Sequence, residues 1–395
     1  MRMDKKITSC CICGGAVKDV FQLPFEDVIG MANDYIQHIG LCERCGFLFT
    51  MNPFSVELLE NRYKNESKFE FDSENHVQEE NKEYMQRCKR VKHFIEDSIG
   101  PVGSIIEVGA ASGYNLSLYL NSKRYGIEPS ELNCQLAKRN YNIEMFCGSF
   151  REFEQSKPKE KYDLVFLSMI LEHIVDPYSF LHSLKKYNNK YLFIEVPTMD
   201  VKNIDEPYGM MCEEHVNLFT FEALNNMLAR LGYGLVDAKV EYGFNKGYPA
   251  GWPCMDTIWE LGRKPVRFNP MIKTDVIIRE YLEKSKSALE EVGRTIDAIP
   301  SGLPIAVWGT GHHVSMLLRN TNLGKKNIIK FYDSDNRKQK YTMHGRPIEG
   351  FDPNDVETGK IQGIVVGTYI FQEVIGQTIR DQCGDDCEII NLYIK

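Results

Sequence analysis

The chain has 395 residues, a length typical of two or three domains, and 43% of them are hydrophobic, as in globular proteins with full cores. The net charge of −8 argues against a nucleic-acid partner or an anionic membrane, and no apolar run predicts a transmembrane helix. Residues 1–6 lack the pattern of a signal peptide, and twelve cysteines suit a reducing compartment, so we expect a cytoplasmic protein.

Two Cys-x-x-Cys pairs, Cys10/Cys13 and Cys42/Cys45, are separated by 28 residues. A glycine follows each pair and allows the backbone to turn around a metal ion. Four thiolates predict a closed, tetrahedral, structural zinc site with no open position for a substrate. Cys11 could replace Cys10 as a ligand, and two disulfides or four unrelated thiols are the alternatives.

An apolar strand, residues 105–108, leads into a glycine turn at Gly109 and Gly113, and the acidic Glu128 follows at the predicted end of the next strand. This order is typical of a nucleoside site, in which the acidic residue accepts the ribose hydroxyls. The Gly-x-x-x-Gly spacing differs from a dinucleotide turn, and the carboxylate of Glu107 repels phosphate but suits an ammonium group. The turn therefore predicts S-adenosylmethionine (SAM) and resembles motif I of class I SAM-dependent methyltransferases. A turn that binds nothing is the alternative.

Three further strands are predicted around residues 145–147, 163–168 and 191–197. The second and third are continuously apolar, as strands of a parallel sheet buried on both faces require. Ligands bind beyond the carboxyl ends of such strands, which places the following loops beside the methyl donor. Ser149 and Phe150 are expected to flank the adenine, although a packing role for Phe150 is equally consistent. The predicted cofactor residues are Glu107, Gly109, Ala111, Gly113, Glu128, Ser149, Phe150 and Ser168.

Two histidines follow predicted strands and have acidic neighbours, His173 beside Glu172 and His215 beside Glu214. A neighbouring carboxylate raises the proton affinity of an imidazole and fixes its tautomer, which suits a general base. Each pair also has a structural interpretation, as a helix cap or as a surface salt bridge.

In the C-terminal third, a long amphipathic helix is predicted over residues 269–298 and ends before Pro300. The strand and turn at residues 305–311, with Asp333 ending the next strand, resemble half of a nucleotide-binding fold. Since the turn lacks a third glycine in register, a Rossmann-like platform is favoured over NAD binding.

This order of motifs resembles the bacterial sugar C-methyltransferases that act on nucleotide-linked 4-keto-6-deoxy sugars. The resemblance implies an α/β protein with three modules: a zinc-binding module (1–75), a class I SAM methyltransferase Rossmann-like core (76–245), and a linker helix with a C-terminal Rossmann-like, substrate-side domain (246–395). It implies structural zinc on the four cysteines and SAM on the glycine turn. Glu214, His215 and His173 match residues of the family's active site, whereas Cys212 and Glu213 stand where that family has tyrosine and histidine.

The implied chemistry is removal of a proton beside a ketone by His215, steered by Glu214, while His173 donates a hydrogen bond to the enolate oxygen. The enolate carbon would then attack the SAM methyl group. An O- or N-methyltransferase acting on a nucleotide sugar or other small molecule is an alternative, because such acceptors need no C–H proton removed. An NAD-dependent oxidoreductase or binding protein using the C-terminal domain is another.

Overall fold

The computed structural model describes residues 6–28, 32–65, 79–200, 206–242, 253–266 and 271–393. Residues 1–5, which belong to the segment used for the signal-peptide expectation, lie outside this set. The chain forms two units. Unit one comprises Met1–Lys18, Gly40–Lys202 and Glu214–Ile277, and unit two comprises Asp19–Ile39, Asn203–Glu213 and Ile278–Lys395. The three modules predicted from the sequence have other boundaries and stay a prediction.

Short strands of β-branched and aromatic residues alternate with helices through most of the chain. The strands are β1 (Val17–Val28), β2 (Ala32–Cys42), β3 (Leu48–Thr50), β4 (Ser104–Val108), β5 (Lys123–Glu128), β6 (Met145–Cys147), β7 (Tyr162–Ser168), β8 (Asn188–Pro197), β9 (Asn217–Leu218), β10 (Tyr233–Tyr242), β11 (Pro253–Leu261), β12 (Ile305–Trp308), β13 (Ile328–Tyr332), β14 (Thr342–Met343), β15 (Arg346–Glu349), β16 (Gly363–Val366) and β17 (Glu388–Asn391).

The helices vary from a single turn to eight turns in length. They are α1 (Val56–Asn65), α2 (Glu79–Ile99), α3 (Tyr114–Ser117), α4 (Glu131–Tyr141), α5 (Phe150–Gln155), α6 (Pro177–Leu184), α7 (Phe221–Arg230), α8 (Met271–Ala298), α9 (His312–Asn320), α10 (Asn354–Glu357) and α11 (Gln372–Cys383), with 3-10 turns at Leu171–His173, Lys185–Tyr187 and Leu323–Lys325. No helix within the described ranges is both long enough and apolar enough to cross a membrane.

Unit one contains a seven-stranded sheet in the order β10-β11-β8-β7-β4-β5-β6. The strands from β6 to β8 are parallel, and β11 is antiparallel to both β8 and β10. This order, with one antiparallel strand inserted beside the edge, is that of the class I SAM-dependent methyltransferase fold, so the predicted fold class is confirmed. The order reverses between β4 and β7, the position at which ligands bind beyond the carboxyl ends of the strands in such sheets.

Successive side chains of β7 enter two different hydrophobic clusters. Val165 and Leu167 belong to one cluster, whereas Leu164 and Phe166 belong to the other. Because side chains alternate across a strand, both faces of the sheet are covered, as the continuous apolar sequence predicts. The first cluster also contains Cys42 of the cysteine quartet. The quartet thus packs on the same core as the sheet.

Unit two contains a six-stranded sheet in the order β14-β15-β13-β12-β16-β17, parallel except for the pairing of β14 with β15. The predicted strands at 305–308 and 363–366 are β12 and β16, and the predicted Rossmann-like arrangement is present. Helix α8 ends at Ala298, before the predicted breaker at Pro300. Its predicted first residue, Asn269, lies outside the described residues.

Candidate active site

The glycine turn after β4 brings backbone into close contact with the segment after β7. Gly109 and Gly113 have φ angles of 72° and 81°, in the left-handed region that glycine adopts without strain. A Cβ atom on Gly109 would lie 2.2 Å from Cδ1 of Ile170, and one on Gly113 would lie 2.9 Å from Cβ of Ala137. The turn therefore requires glycine at both positions. The helix that follows the turn, α3, begins at Tyr114 and is a single turn long.

Two buried carboxylates border this turn, at the predicted cofactor positions. The backbone N–H groups of Ala111 and Ser130 each donate to Glu128 at 2.9 Å. Asn115 donates its side-chain amide to Oε1 of Glu107 at 3.1 Å, whereas Oε2 of Glu107 has no hydrogen-bond partner in the described part of the chain. Burial raises the pKa of Glu107 to about 8 and also raises the pKa of Glu128. A buried carboxylate oxygen without a donor is a suitable contact for a cationic group.

Ser149 and Phe150 begin α5, and both have structural roles. The Ser149 hydroxyl accepts a hydrogen bond from the N–H of Glu152 at 3.3 Å, and the Glu152 carboxylate accepts from the N–H of Ser149 at 2.7 Å. This is a capping box, which satisfies two donors at the start of the helix. The Phe150 ring packs edge-on against Phe180, with centroids 4.9 Å apart. A contact of Ser149 and Phe150 with adenine stays a prediction from the sequence.

Ser168, another predicted cofactor residue, belongs to a buried polar network at the ends of β7 and β8. Its hydroxyl donates to Glu195 at 2.7 Å and accepts from the guanidinium of Arg87 at 2.6 Å. Arg87 also donates from Nε to Glu195 at 2.7 Å, and both side chains are buried. Sequence analysis missed Arg87 and Glu195. The signal was present, since Arg87 interrupts the apolar face of α2 one turn after Tyr84 and one turn before Val91.

The structure brings His173 and His215 together, although 41 residues lie between them in the chain. Their ring centroids are 5.1 Å apart and their planes are inclined at 69°. Nδ1 of His173 lies 3.0 Å from the backbone carbonyl oxygen of Glu214. A carbonyl oxygen can only accept, so Nδ1 carries the proton and a neutral ring presents its lone pair at Nε2.

The acidic neighbours of the two histidines differ in their surroundings. The carboxylate of Glu214 forms an ion pair with Arg62 at 2.9 Å. Glu172 is 1% exposed, and neither of its carboxylate oxygens has a hydrogen-bond partner among the residues described. Its Oε1 lies 3.7 Å from Nε2 of His173, and burial raises the pKa of Glu172 to about 8. The sequence indicated Glu172 only as a neighbour of His173, not as part of the site.

The four predicted zinc ligands converge in unit one. The sulfur atoms of Cys10 and Cys45 are 3.6 Å apart, those of Cys13 and Cys42 are 3.4 Å apart, and all four lie within 4.8 Å of one another. The glycines after the pairs have φ angles of 66° and 69°, as the predicted metal-binding turns require. Cys11 is outside this group. The arrangement could hold a tetrahedral metal ion without room for a further ligand.

In unit two, the turn at Gly309 holds the carboxylate of Asp333 with groups of the protein itself. The N–H of Thr310 donates to it at 3.1 Å, and Lys338 forms an ion pair with it at 2.8 Å. The predicted platform accounts for these contacts without a bound nucleotide.

Residues 78–238 match the family of proteins described as a methyltransferase domain, which covers less than half of the chain. None of the curated proteins matches the chain in sequence. Solved structures with distant similarity include magnesium protoporphyrin IX methyltransferase (ChlM) from Synechocystis PCC 6803 with bound S-adenosylhomocysteine, at 12% identity over 52% of this chain and 100% of that one, with a TM-score of 0.41. The N-methyltransferase NodS from Bradyrhizobium japonicum WM9 is 13% identical over 52% of this chain and 97% of its own, with a TM-score of 0.37.

The family match covers the helix α2, the glycine turn, both buried carboxylates and the two histidines. It confirms the predicted enzyme class, and the strand order of unit one agrees with it. Residues 78–238 of the chain have the sequence pattern of a methyltransferase domain.

Proposed function

We propose that the protein transfers the methyl group of SAM to a carbon atom of a nucleotide-linked 4-keto-6-deoxy sugar in the cytoplasm. The observation that carries the proposal is the pairing of His173 with His215, with ring centroids 5.1 Å apart. The segment of His173 directly follows β7, whose end borders the glycine turn. An acid–base pair beside a methyl-donor site suits an acceptor that must lose a proton before it reacts.

The residues around the glycine turn fit the donor. SAM carries a sulfonium and an ammonium group and no phosphate, and it supplies an electrophilic methyl group when bound. Glu107 and Glu128 would hold SAM. Glu107 would do so through Oε2, which accepts no hydrogen bond from the described residues. Gly109, Ala111 and Gly113 would let the backbone approach it closely, and the proposed contacts of Ser149, Phe150 and Ser168 complete this side of the site.

His215 takes the proton from the carbon beside the ketone, and Glu214 contributes to the orientation of the histidine pair through its backbone carbonyl. Because Nδ1 of His173 already donates to the carbonyl oxygen of Glu214, this histidine acts in its protonated form and donates from Nε2 to the oxygen on which negative charge develops. The C–H bond is broken, its electrons form the new carbon–methyl bond, and the methyl–sulfur bond electrons leave on S-adenosylhomocysteine. The proton remains on His215 until solvent removes it.

The four cysteines bind zinc in this proposal, and the zinc is structural. Four sulfur atoms within 4.8 Å of one another support a tetrahedral site, and thiolates are ligands that zinc prefers.

The test uses SAM labelled with ¹³C in its methyl group and a panel of nucleotide-linked 4-keto-6-deoxy sugars. We expect an NMR correlation from the labelled methyl group to a ring carbon of the product. A methyl signal attached to oxygen or nitrogen would replace this proposal by the heteroatom alternative. A second readout is deuterium exchange beside the ketone in heavy water with S-adenosylhomocysteine. It should occur in the native enzyme and in the control His182→Gln, whose histidine is exposed on α6, but not in His215→Gln.

A further inference from the structure

Three side chains of unit one bring potential metal-ligating atoms close together. Glu172, His173 and His215 each offer one such atom, and the three atoms lie within 4.8 Å of one another. We infer that these three residues form a binding site for a divalent transition-metal ion, separate from the cysteine quartet. The inference does not rest on the proposed sugar chemistry, because it concerns the free protein.

Glu172 provides the first argument. Its side chain is 1% exposed, and both carboxylate oxygens lack a hydrogen-bond partner in the described residues. An unpaired buried carboxylate is strongly unfavourable unless a cation or a proton accompanies it. Nε2 of His173 lies 3.7 Å from Oε1 of Glu172, which is too distant for a hydrogen bond.

The orientation of His173 provides the second argument. Its Nδ1 is 3.0 Å from the carbonyl oxygen of Glu214, and this hydrogen bond fixes the lone pair on Nε2, which faces Glu172. Histidines that bind metals commonly donate their other N–H to a backbone carbonyl in this way. The carbonyl itself is fixed, since it also accepts from the N–H of Val216 at 3.1 Å.

The distance between the ligand atoms provides the third argument. Zinc–nitrogen and zinc–oxygen bonds of about 2.0–2.1 Å place tetrahedral ligands about 3.3 Å apart. The separation of 3.7 Å between Glu172 and His173 requires only a small movement to reach that value. Two imidazoles and one carboxylate select zinc, cobalt or iron(II) over magnesium or calcium, which prefer sites composed of oxygen.

Three protein ligands leave at least one position of the ion open, in contrast to the closed cysteine quartet. That position would take water or an oxygen atom of a small molecule. An imidazole whose lone pair binds a metal cannot also take a proton. A filled site therefore withdraws His173 and His215 from acid–base catalysis, a consequence that, unlike the metal site itself, rests on the proposed function.

The test uses the full-length protein with its cysteine quartet already loaded with zinc, and cobalt(II) chloride as the probe. Neither SAM nor acceptor is added, so the result is independent of methyl transfer. We expect one further cobalt ion per chain with weak visible absorption and no thiolate charge-transfer band. Its affinity should fall about tenfold or more in Glu172→Gln and in His173→Gln, whose side chain is partly exposed. Thermal unfolding checks that each variant is folded.

A second group, Cys212, Glu213 and His312 in unit two, provides the matched control, because its ligand atoms also lie within 4.8 Å of one another. His312→Gln should leave the additional cobalt site unchanged. Absence of the additional ion, unchanged affinity in both Glu172→Gln and His173→Gln, or loss of the ion in His312→Gln would each overturn the inference. A thiolate charge-transfer band would do so as well, since it would place the ion on cysteine.

Discussion

Thr50 donates its backbone N–H to the carbonyl oxygen of Val216 at 2.7 Å, and its hydroxyl donates to the carbonyl oxygen of His215 at 3.4 Å. Thr50 ends β3, which follows the second cysteine pair and forms an antiparallel pair with β9. The backbone that carries the proposed base is thus held by the strand next to the quartet.

We expect Cys10→Ser and Cys45→Ser to lose zinc and to lower the melting temperature, because a small cysteine module has too little core to remain folded without its metal ion. Methyl transfer should fall in parallel, since β3 holds the backbone of His215. Metal analysis and thermal unfolding measure the two effects. Cys11→Ser is the control and should keep its zinc. Zinc that survives in Cys10→Ser but disappears in Cys11→Ser would instead make Cys11 the ligand.

Arg87→Met should lower the free energy of unfolding by about 3–5 kcal/mol, because it leaves the Glu195 carboxylate buried without its ion-pair partner. The double variant Arg87→Met/Glu195→Leu should recover most of that loss, since it buries no unpaired charge. Urea denaturation of both variants gives the comparison. Equal losses in the single and double variants would show that the pair contributes mainly through packing.

Binding of SAM at pH 7 should release close to one proton. Burial raises the pKa of Glu107 to about 8, so the carboxyl of the free protein is mostly protonated at neutral pH, whereas a cationic ligand favours its ionised form. The affinity should therefore rise as the pH increases toward 8 and then level off. Calorimetry in two buffers with different ionisation enthalpies measures the release, which Glu107→Gln should abolish. Persistence of the release in this variant would assign it to another group.

The same shift predicts how stability depends on pH in the free protein. The folded-state pKa of Glu107, about 8, is above its ordinary value of 4.5, so the folded state binds more protons between these values. Its contribution to stability is present below about pH 4.5 and declines as the pH rises to about 8. Glu107→Gln, which cannot ionise, should gain stability relative to the native chain over this interval. Denaturation of both chains at pH 5 and at pH 8 measures this gain. A difference in the free energy of unfolding that is the same at both pH values would refute the prediction.

His215→Ala should lower turnover by about 10²–10⁴-fold, the range for loss of a general base, while the affinity for SAM stays near that of the native enzyme. Single-turnover kinetics and calorimetry separate these two quantities. His182→Gln serves as the control. A matching loss of SAM affinity would mean that His215 supports the structure of the donor site instead.

Features that depend on residues close together in the chain could be predicted from the sequence. The glycine turn follows from the steric freedom of Gly109 and Gly113, and the parallel strands follow from continuous apolar runs between turns. The capping box at Ser149 and Glu152 was also readable, because Ser-x-x-Glu at a helix start is a local pattern. Assignment of Ser149 to the cofactor overlooked this use of its side chain.

The sequence marks Arg87 as a polar residue on an apolar helix face, but its partner in the core could not be predicted in the same way. Arg87 and Glu195 are 108 positions apart in the chain, and their ion pair exists only because α2 packs at the ends of β7 and β8. The closeness of Glu172 to both histidines likewise depends on Asn217, whose side chain donates to the carbonyl oxygens of Leu171 and Ile174 at 2.9 and 2.7 Å. A single sequence contains no measure of such long-range packing.

The two units are each assembled from three separate stretches of polypeptide, so the backbone passes from one unit to the other five times. A single proteolytic cut therefore releases neither unit as an intact fragment. Expression of residues 278–395 alone would omit Asp19–Ile39, including the carbonyl of Pro24 that accepts a hydrogen bond from Asn320 at 2.8 Å. Domain swaps between relatives of this enzyme need to exchange whole chains or several segments together.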